Sequence, residues 1–330
     1  VKKNLLLLGR DFLSEDKSKQ QGMEIILYLG LFIVSLAVLL KASDWFIDAA
    51  EEIGLSLGVS PFIIGVTIVA FGTSLPELAT SIASVVNGES EIVLSNVVGS
   101  NITNIALVLG LVAVIVKQID LEYNIWHIDM PFLWGSAFLL WFTVSDGTFS
   151  IFEAILFLIG IGIFLGYSFK TEGEENVINP KATWRSYFFL VLGGVLVWLG
   201  ANYTIEAIMK LSTLAGIRPD VIALSAVALG TSLPEVIVSL NAARKGKTSI
   251  AVGNVLGSNL FNTYVVMSIP SFFGELVIPA SVSGIYLLLM IAMTVLFGIM
   301  ANNKKITRYE GMVLLMFYAY FVVELFTGAV

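Results

Sequence analysis

Glu77 and Glu235 close two copies of one hexapeptide, GTSLPE, at residues 72–77 and 230–235, and each copy interrupts an otherwise apolar run. Hard oxygen donors gather around both. Thr73 and Ser74 precede the first glutamate, and Thr231 and Ser232 precede the second. Downstream, GSNITN (99–104) adds Ser100 and Asn104, while GSNLFN (257–262) adds Ser258 and Asn262. Carboxylate, amide and hydroxyl oxygens suit Ca²⁺, Na⁺ or Mg²⁺, and not Zn²⁺ or Cu⁺. Ca²⁺ takes roughly 6–8 such oxygens in a flexible shell.

Other chemistries find little here. The chain has no cysteine, which removes disulfides, thiolate metal sites and thiol nucleophiles. Its single histidine, His127, stands beside Trp126 near an expected interface and reads as an anchor or cap. No phosphate-binding loop is present to support ATP-driven pumping. The chain is not read as an enzyme, and no resident cofactor is expected.

The elements that carry these residues are set by hydropathy. Of 330 residues, 57% are hydrophobic and 13% charged, with a mean hydropathy of +0.90; a soluble domain carries about a quarter charged residues. The apolar material forms runs of roughly 18–25 residues, long enough to cross a bilayer core about 30 Å thick. Spans are expected near 25–43, 62–86, 92–116, 126–144 and 150–168, then near 187–208, 220–243, 249–270, 277–300 and 309–328. This predicts an all-α polytopic membrane protein of ten transmembrane helices, whose partner is the lipid bilayer. The net charge of −7 belongs to its loops and implies no nucleic acid.

The polar stretch KTEGEENVINPKATWRS (170–186) divides the spans into two sets of five, at 23–169 and 187–330. It is short and reads as a linker. Residues 1–22 lack the pattern of a signal peptide and are left as an extension, an alternative start or a surface helix. Asp44, Asp48, Glu51 and Glu52 follow the first span and are expected as a solvated face, with a cation-gathering entrance as the alternative. RKGK (244–247) reads as an orientation determinant.

Sliding the chain by 158 residues aligns 66–110 with 224–268 without a gap, giving 18 identities in 45 positions. Because five is odd, two similar five-span halves must enter the membrane from opposite sides, the inverted-topology arrangement of secondary transporters. Lys and Arg number eleven on the odd-numbered connections and two on the even ones, or seven if the N-terminal tail is counted. The odd connections are therefore expected in the cytoplasm and both termini outside.

In span 62–86 the GTSLP segment begins about 10–14 residues in, roughly 15–21 Å deep. Pro76 lacks an N–H and Gly72 tolerates unusual angles, so the helix is expected to break there and release carbonyls between Ala70 and Thr73. Irregular backbone survives at that depth when it is buried in protein or lines a polar cavity. An ionised carboxylate at the membrane centre costs at least about 2.5–3.5 kcal/mol, which a bound cation offsets. A single such break reads equally as a kink, and GSN as a small-residue helix contact. Duplication with a glutamate in both copies argues for an ion site. A glutamate pair sharing a proton would instead favour H⁺ coupling.

These residues resemble the calcium/cation antiporter superfamily, and within it the sodium/calcium exchanger family, particularly its short prokaryotic members. The two GTSLPE segments with GSNITN and GSNLFN look like that family's alpha repeats, and SDWF (43–46) in the first span extends the likeness. The resemblance implies exchange of Ca²⁺ for Na⁺ by alternating access, through four ion sites at the centre of ten helices. It makes Glu77 and Glu235 the principal carboxylates, with Thr73 and Thr231 offering backbone and side-chain oxygens. Ala70 and Ala228 would give carbonyls to sodium sites; Ser74, Ser100, Ser232 and Ser258 would be secondary ligands, and Asn104 and Asn262 would flank the central site. Spans one and six would slide across the remaining bundle. One chain would suffice, and no protein partner is implied. Some relatives carry Asp at one Asn-aligned position, whereas this chain has Asn at both. Two formal charges neutralise one Ca²⁺ but not three Na⁺. GTSLPE in place of the GNAXE of the proton-coupled branch favours sodium by resemblance; residue chemistry alone leaves H⁺ coupling, or Mg²⁺ or Mn²⁺ as the divalent, open. A cation channel or a non-transporting membrane module is the reading from a different class.

Overall fold

Helix α1 runs unbroken from Lys2 to Ser56 in the computed structural model, so the first apolar run continues a helix that has already begun. The structure describes residues 2–121, 125–126, 129–171, 181–215 and 230–327, and among them the side-chain environments of 22–168, 181–215 and 230–325. Helices dominate. After α1 come α2 (Pro61–Val86), α3 (Glu91–Val116), α4 (Asp129–Thr143), α5 (Ile151–Thr171) and α6 (Trp184–Leu214). Then follow α7 (Leu233–Arg244), α8 (Thr248–Phe261, continued by a π-helical turn over Asn262–Val266), α9 (Val282–Ala301) and α10 (Arg308–Thr327). Among the described residues six helices are long and apolar enough to cross a membrane: α1 from Gly22, α2, α3, α5 to Ser168, α6 and α9. The N-terminal half of the expected span 220–243 lies outside the described residues, and so do Ala228, His127 and most of the linker.

Local chemistry sets the helix ends. Ser60 caps α2, its hydroxyl accepting from the Ile63 N–H at 3.4 Å, with Pro61 at the first helical position. Thr183 and Ser186 form a capping box for α6. Gly88 and Gly246, equivalent in the repeat, turn the chain between α2 and α3 and between α7 and α8 with φ of 82° and 79°.

Two packings position the site. In one, α1 and α6 lie against each other over their length: Gly193 abuts Phe46, Gly200 abuts Leu39, and Thr204 Oγ1 donates to Ser35 Oγ at 2.9 Å. The other is closer. A Cβ added at Gly257 would collide with the Val66 carbonyl, and one at Gly253 with the Phe62 carbonyl, so backbone meets backbone where α8 crosses the first half of α2. Small residues at such crossings replace the hydrophobic drive that lipid cannot supply. On its other side, α2 borders an apolar cavity of about 1010 Å³ lined by Phe71, Leu75, Pro76 and residues of α5, α6 and α8.

The acidic cluster after the first span is a part-exposed face, and its carboxylates are paired. Lys245 Nζ lies 3.1 Å from Asp44 and 2.8 Å from Asp48, and Lys247 Nζ lies 2.6 Å from Asp48 and 2.7 Å from Glu51. Partial burial works against the Lys247 charge, but hydrogen bonds to Asp48 and Glu51, with their charges, hold its ammonium above the ordinary lysine range. RKGK thus ties the end of α1 to the α7–α8 turn. The pairs are still part-exposed, and such pairs contribute about 1 kcal/mol or less each. Replacing Lys245 and Lys247 together by Ala is expected to lower the melting temperature in detergent modestly at low salt, with the difference shrinking at high salt. A salt-independent loss would argue that packing, not charge, holds this end.

Elsewhere, strand β1 (Gln118–Asp120) after α3 pairs antiparallel with β2 (Lys305–Thr307) after α9, with Ile119 opposite Ile306. Ser90 Oγ, between α2 and α3, accepts the Val277 N–H at 3.1 Å.

Candidate functional site

Both GTSLPE segments bend at their serine. Ser74 has φ −91° and ψ 4°, Ser232 has φ −85° and ψ 2°, and each stands as the cap of the helical segment that follows. Pro76 and Pro234 occupy the second position of those segments, and Glu77 and Glu235 fall in the first turn, where the helix dipole favours negative charge. The glutamates are 1% and 0% exposed. The break is tighter than the sequence suggests. The Ala70 carbonyl keeps its helical partner, the Ser74 N–H at 3.0 Å, and also lies 3.4 Å from Thr73 Oγ1. Only the donor of Pro76 is removed outright, which deprives the Gly72 carbonyl of its partner four residues on. Ala70 therefore offers a second lone pair, not a freed carbonyl.

Hydrogen bonds cross between the repeats. Ser74 Oγ donates to Glu235 Oε1 at 3.0 Å. Thr73 Oγ1 donates to Asn254 Oδ1 at 3.2 Å and lies 3.5 Å from Ser258 Oγ. In mirror fashion, Thr231 Oγ1 donates to Asn96 Oδ1 at 3.1 Å and lies 3.4 Å from Ser100 Oγ. Asn104 Nδ2 donates to Asn259 Oδ1 at 3.1 Å, and Asn101 Nδ2 to Thr263 Oγ1 at 2.9 Å. Each half of the centre is thus held by the other.

What these bonds leave unpaired is mostly oxygen. Both carboxylate oxygens of Glu77, Oε2 of Glu235, Oδ1 of Asn104, Ser232 Oγ and both amide atoms of Asn262 are buried without a hydrogen-bond partner. The bond from Ser74 to Glu235 brings the second carboxylate against the bend that carries the first. Buried polar atoms are normally satisfied, and orphaned ones cost about 1–3 kcal/mol each. An oxygen cluster with two carboxylates and few donors is what a hard cation offsets, and the residues present fit one as cargo. Among the described residues no group of three or more His, Cys, Asp or Glu is arranged to hold a metal ion, consistent with a site that relies on amides and hydroxyls beside its two carboxylates. The helices bulge here as well: π-helical turns begin at Thr103 and at Asn262, next to and at the paired asparagines.

Of the residues singled out in the sequence, Glu77, Glu235, Thr73, Thr231, Ser74, Ser100, Ser258, Asn104 and Asn262 enter this cluster through the contacts just given or as its unpaired atoms. Ser232 joins them at the second bend through its unpaired Oγ, Ala70 is buried at the first, and Ala228 lies outside the described residues. Asn96, Asn254, Asn101 and Asn259 were not assigned to the site from sequence. Their signal was there: the four form two identical pairs at the 158-residue offset.

Fold and centre together define a multi-pass membrane protein built around a buried, oxygen-lined pair of carboxylates. The family described as sodium/calcium exchanger protein matches residues 27–170 and 185–327. The sodium/calcium exchanger MaX1 of Methanosarcina acetivorans is 34% identical, covering 90% of this chain and 97% of its own length. The inner membrane protein YrbG of Escherichia coli is 30% identical over 75% of this chain and 80% of its own. Among solved structures, the sodium-calcium exchanger NCX_Mj soaked with zero Na⁺ and Ca²⁺ superposes with a TM-score of 0.78 at 32% identity, covering 91% of this chain and 99% of that one. The chain belongs to the sodium/calcium exchanger protein family.

Proposed function

We propose that this protein exchanges Ca²⁺ for Na⁺ across the membrane by alternating access, with both cations held between Glu77 and Glu235. The observation that carries the reading is the pair of fully buried glutamates, three of whose four carboxylate oxygens lack a donor. Thr73, Thr231, Ser74, Ser232, Ser100, Ser258, Asn104 and Asn262 complete the ligand set, with backbone oxygens from Ala70 and Ala228. The related exchangers and their sodium- and calcium-soaked structures support these cations.

The proposed architecture is ten spans in two inverted repeats, 23–169 and 187–330, joined by the linker 170–186. Contacts between connections support it. The C-terminal end of α1 meets the linker, through Thr183 N–H and Glu52 Oε1 at 3.4 Å, and the α7–α8 turn, through Lys245 and Lys247. The connection after α3 pairs with that after α9. Even-numbered connections meet through Ser90 and Val277. That sorting matches the sides on which the basic residues divide. It supports a reading with the odd connections in the cytoplasm and both termini outside an inner, or plasma, membrane, where the YrbG relative's name also points. The α1–α6 pair packs largely on itself and is the natural body to slide past the rest, and a single chain suffices.

The reading is tested in proteoliposomes loaded with Na⁺ and diluted into Na⁺-free buffer containing Ca²⁺. Ca²⁺ uptake is expected to require the outward Na⁺ gradient. Robust uptake driven by a pH jump without Na⁺ would transfer the assignment to H⁺ coupling through the shared glutamate pair. Competition by Mg²⁺ or Mn²⁺ reads the divalent preference. Currents exceeding stoichiometric exchange would indicate a channel, and absence of any ion-dependent flux a non-transporting module.

A further inference from the structure

We propose that Asn96 is a positioning residue for cation binding, acting by taking the hydroxyl proton of Thr231 so that the oxygen's lone pairs face the cation beside Glu77. Asn254 does the same for Thr73. The inference rests on the ion site proposed above and deepens it.

Proton accounting fixes the direction. Asn96 is 8% exposed and ends in two atoms of opposite hydrogen-bonding character. One of them lies 3.1 Å from the main-chain carbonyl of Glu77 and 3.0 Å from Ser81 Oγ. A carbonyl only accepts, so that atom is the amide nitrogen, and its two hydrogens are both used. The other is therefore Oδ1, which only accepts. It faces Thr231 Oγ1 at 3.1 Å and Ser100 Oγ at 3.4 Å. A hydroxyl has one proton, and here the threonine's goes to Asn96.

The consequence concerns Glu77. Asn96 bonds both the Glu77 main-chain carbonyl and Thr231 Oγ1, so the threonine stands beside that residue, and a hydroxyl free to turn to its carboxylate would place a proton where a cation should sit. Asn96 diverts the proton across the repeat boundary. Both Glu77 oxygens then stay unpaired, and the Thr231 oxygen turns the same way, toward one positive charge. Pre-set lone pairs spare the site the cost of reorienting when the ion arrives. The mirror arrangement is looser: Thr73 donates to Asn254 Oδ1 at 3.2 Å, with the Ala70 carbonyl at 3.4 Å as its more distant acceptor, and Asn254 Nδ2 donates to Ser239 Oγ at 2.9 Å. Each threonine is thus steered by an asparagine from the opposite repeat.

A double-mutant cycle on the full-length protein tests this, comparing wild type, Asn96→Ala, Thr231→Val and the double variant. For each, the Ca²⁺ concentration giving half-maximal Na⁺-driven uptake and the Ca²⁺-induced rise in melting temperature are measured. Each single substitution is expected to raise that concentration about tenfold, a shift within the range for members of one hydrogen-bond network, and the double variant no more than the larger single one. Multiplying effects, about a hundredfold in the double variant, would overturn the inference and make Asn96 a packing residue. Asn96→Asp supplies a second background that keeps an acceptor. There, Thr231→Val should again cost about tenfold, whereas in the alanine background it should cost almost nothing. Equal costs in both backgrounds likewise overturn the inference. If Thr231→Val alone leaves Ca²⁺ affinity unchanged, the threonine is no ligand, and it is the site reading that fails.

Discussion

Glu77→Gln and Glu235→Gln each reduce Na⁺-driven Ca²⁺ uptake by at least about a hundredfold, while leaving the cation-free protein as stable as wild type or more so. Both halves follow from the same burial. Removing one member of a buried charge constellation costs about 3–5 kcal/mol of interaction, and about 1.4 kcal/mol is a factor of ten in affinity. The glutamates lie at 1% and 0% exposure, where water cannot substitute for a lost ligand. Without a cation the carboxylates are a liability, because three of their four oxygens lack a donor. The isosteric amide removes that cost and should also abolish Ca²⁺-induced thermal protection. Glu235→Gln carries a further mark: Ser74 Oγ donates to Oε1, a bond the amide oxygen can keep. Its fold-level effect should therefore be the smaller. Transport that survives in both variants would remove the proposed centre.

Gly257→Val leaves little folded protein, and Gly257→Ala loses about 1–3 kcal/mol of stability through overpacking. The Gly257 Cα faces the Val66 backbone, so an added methyl meets a carbonyl that belongs to a helix and cannot rotate away. Damage would reach the ion centre directly, since Asn254 and Ser258 on the same helix hold Thr73. The control is Gly99→Ala. Gly99 is the repeat equivalent of Gly257, yet a Cβ there meets nothing within 4 Å. Melting curves in detergent, read beside uptake, should separate the two positions clearly. Equal tolerance would mean that α2 and α8 do not approach as closely as described.

Much of this protein could be read from one dimension. Hydropathy runs placed α2 and α3 within one residue and α5 within three, because lipid requires about twenty apolar residues per crossing whatever their neighbours. The duplicated GTSLPE and GSN segments pointed to Glu77, Glu235 and their hydroxyl and amide companions, because a carboxylate in an apolar run needs a compensating charge and duplication repeats the need. The bend at Ser74 and Ser232 was likewise foreseeable, from a proline that cannot donate.

Direction and distance were not. Whether Ala70 loses its partner depends on how sharply the helix bends, and the bend proves to be one residue wide. Which end of the Asn96 amide faces Thr231 depends on a carbonyl nineteen positions earlier and a hydroxyl from the other half of the chain. The acidic group at the end of α1 found Lys245 and Lys247 some two hundred residues away. Gly99 and Gly257 are the same letter in the same motif, but only one lies under another helix. Sequence alone therefore determined which residue types gather at the centre and where along each apolar run they fall, because composition and period are local. Only tertiary structure decided their partners, since orientation and close approach are set by whichever helix packs opposite.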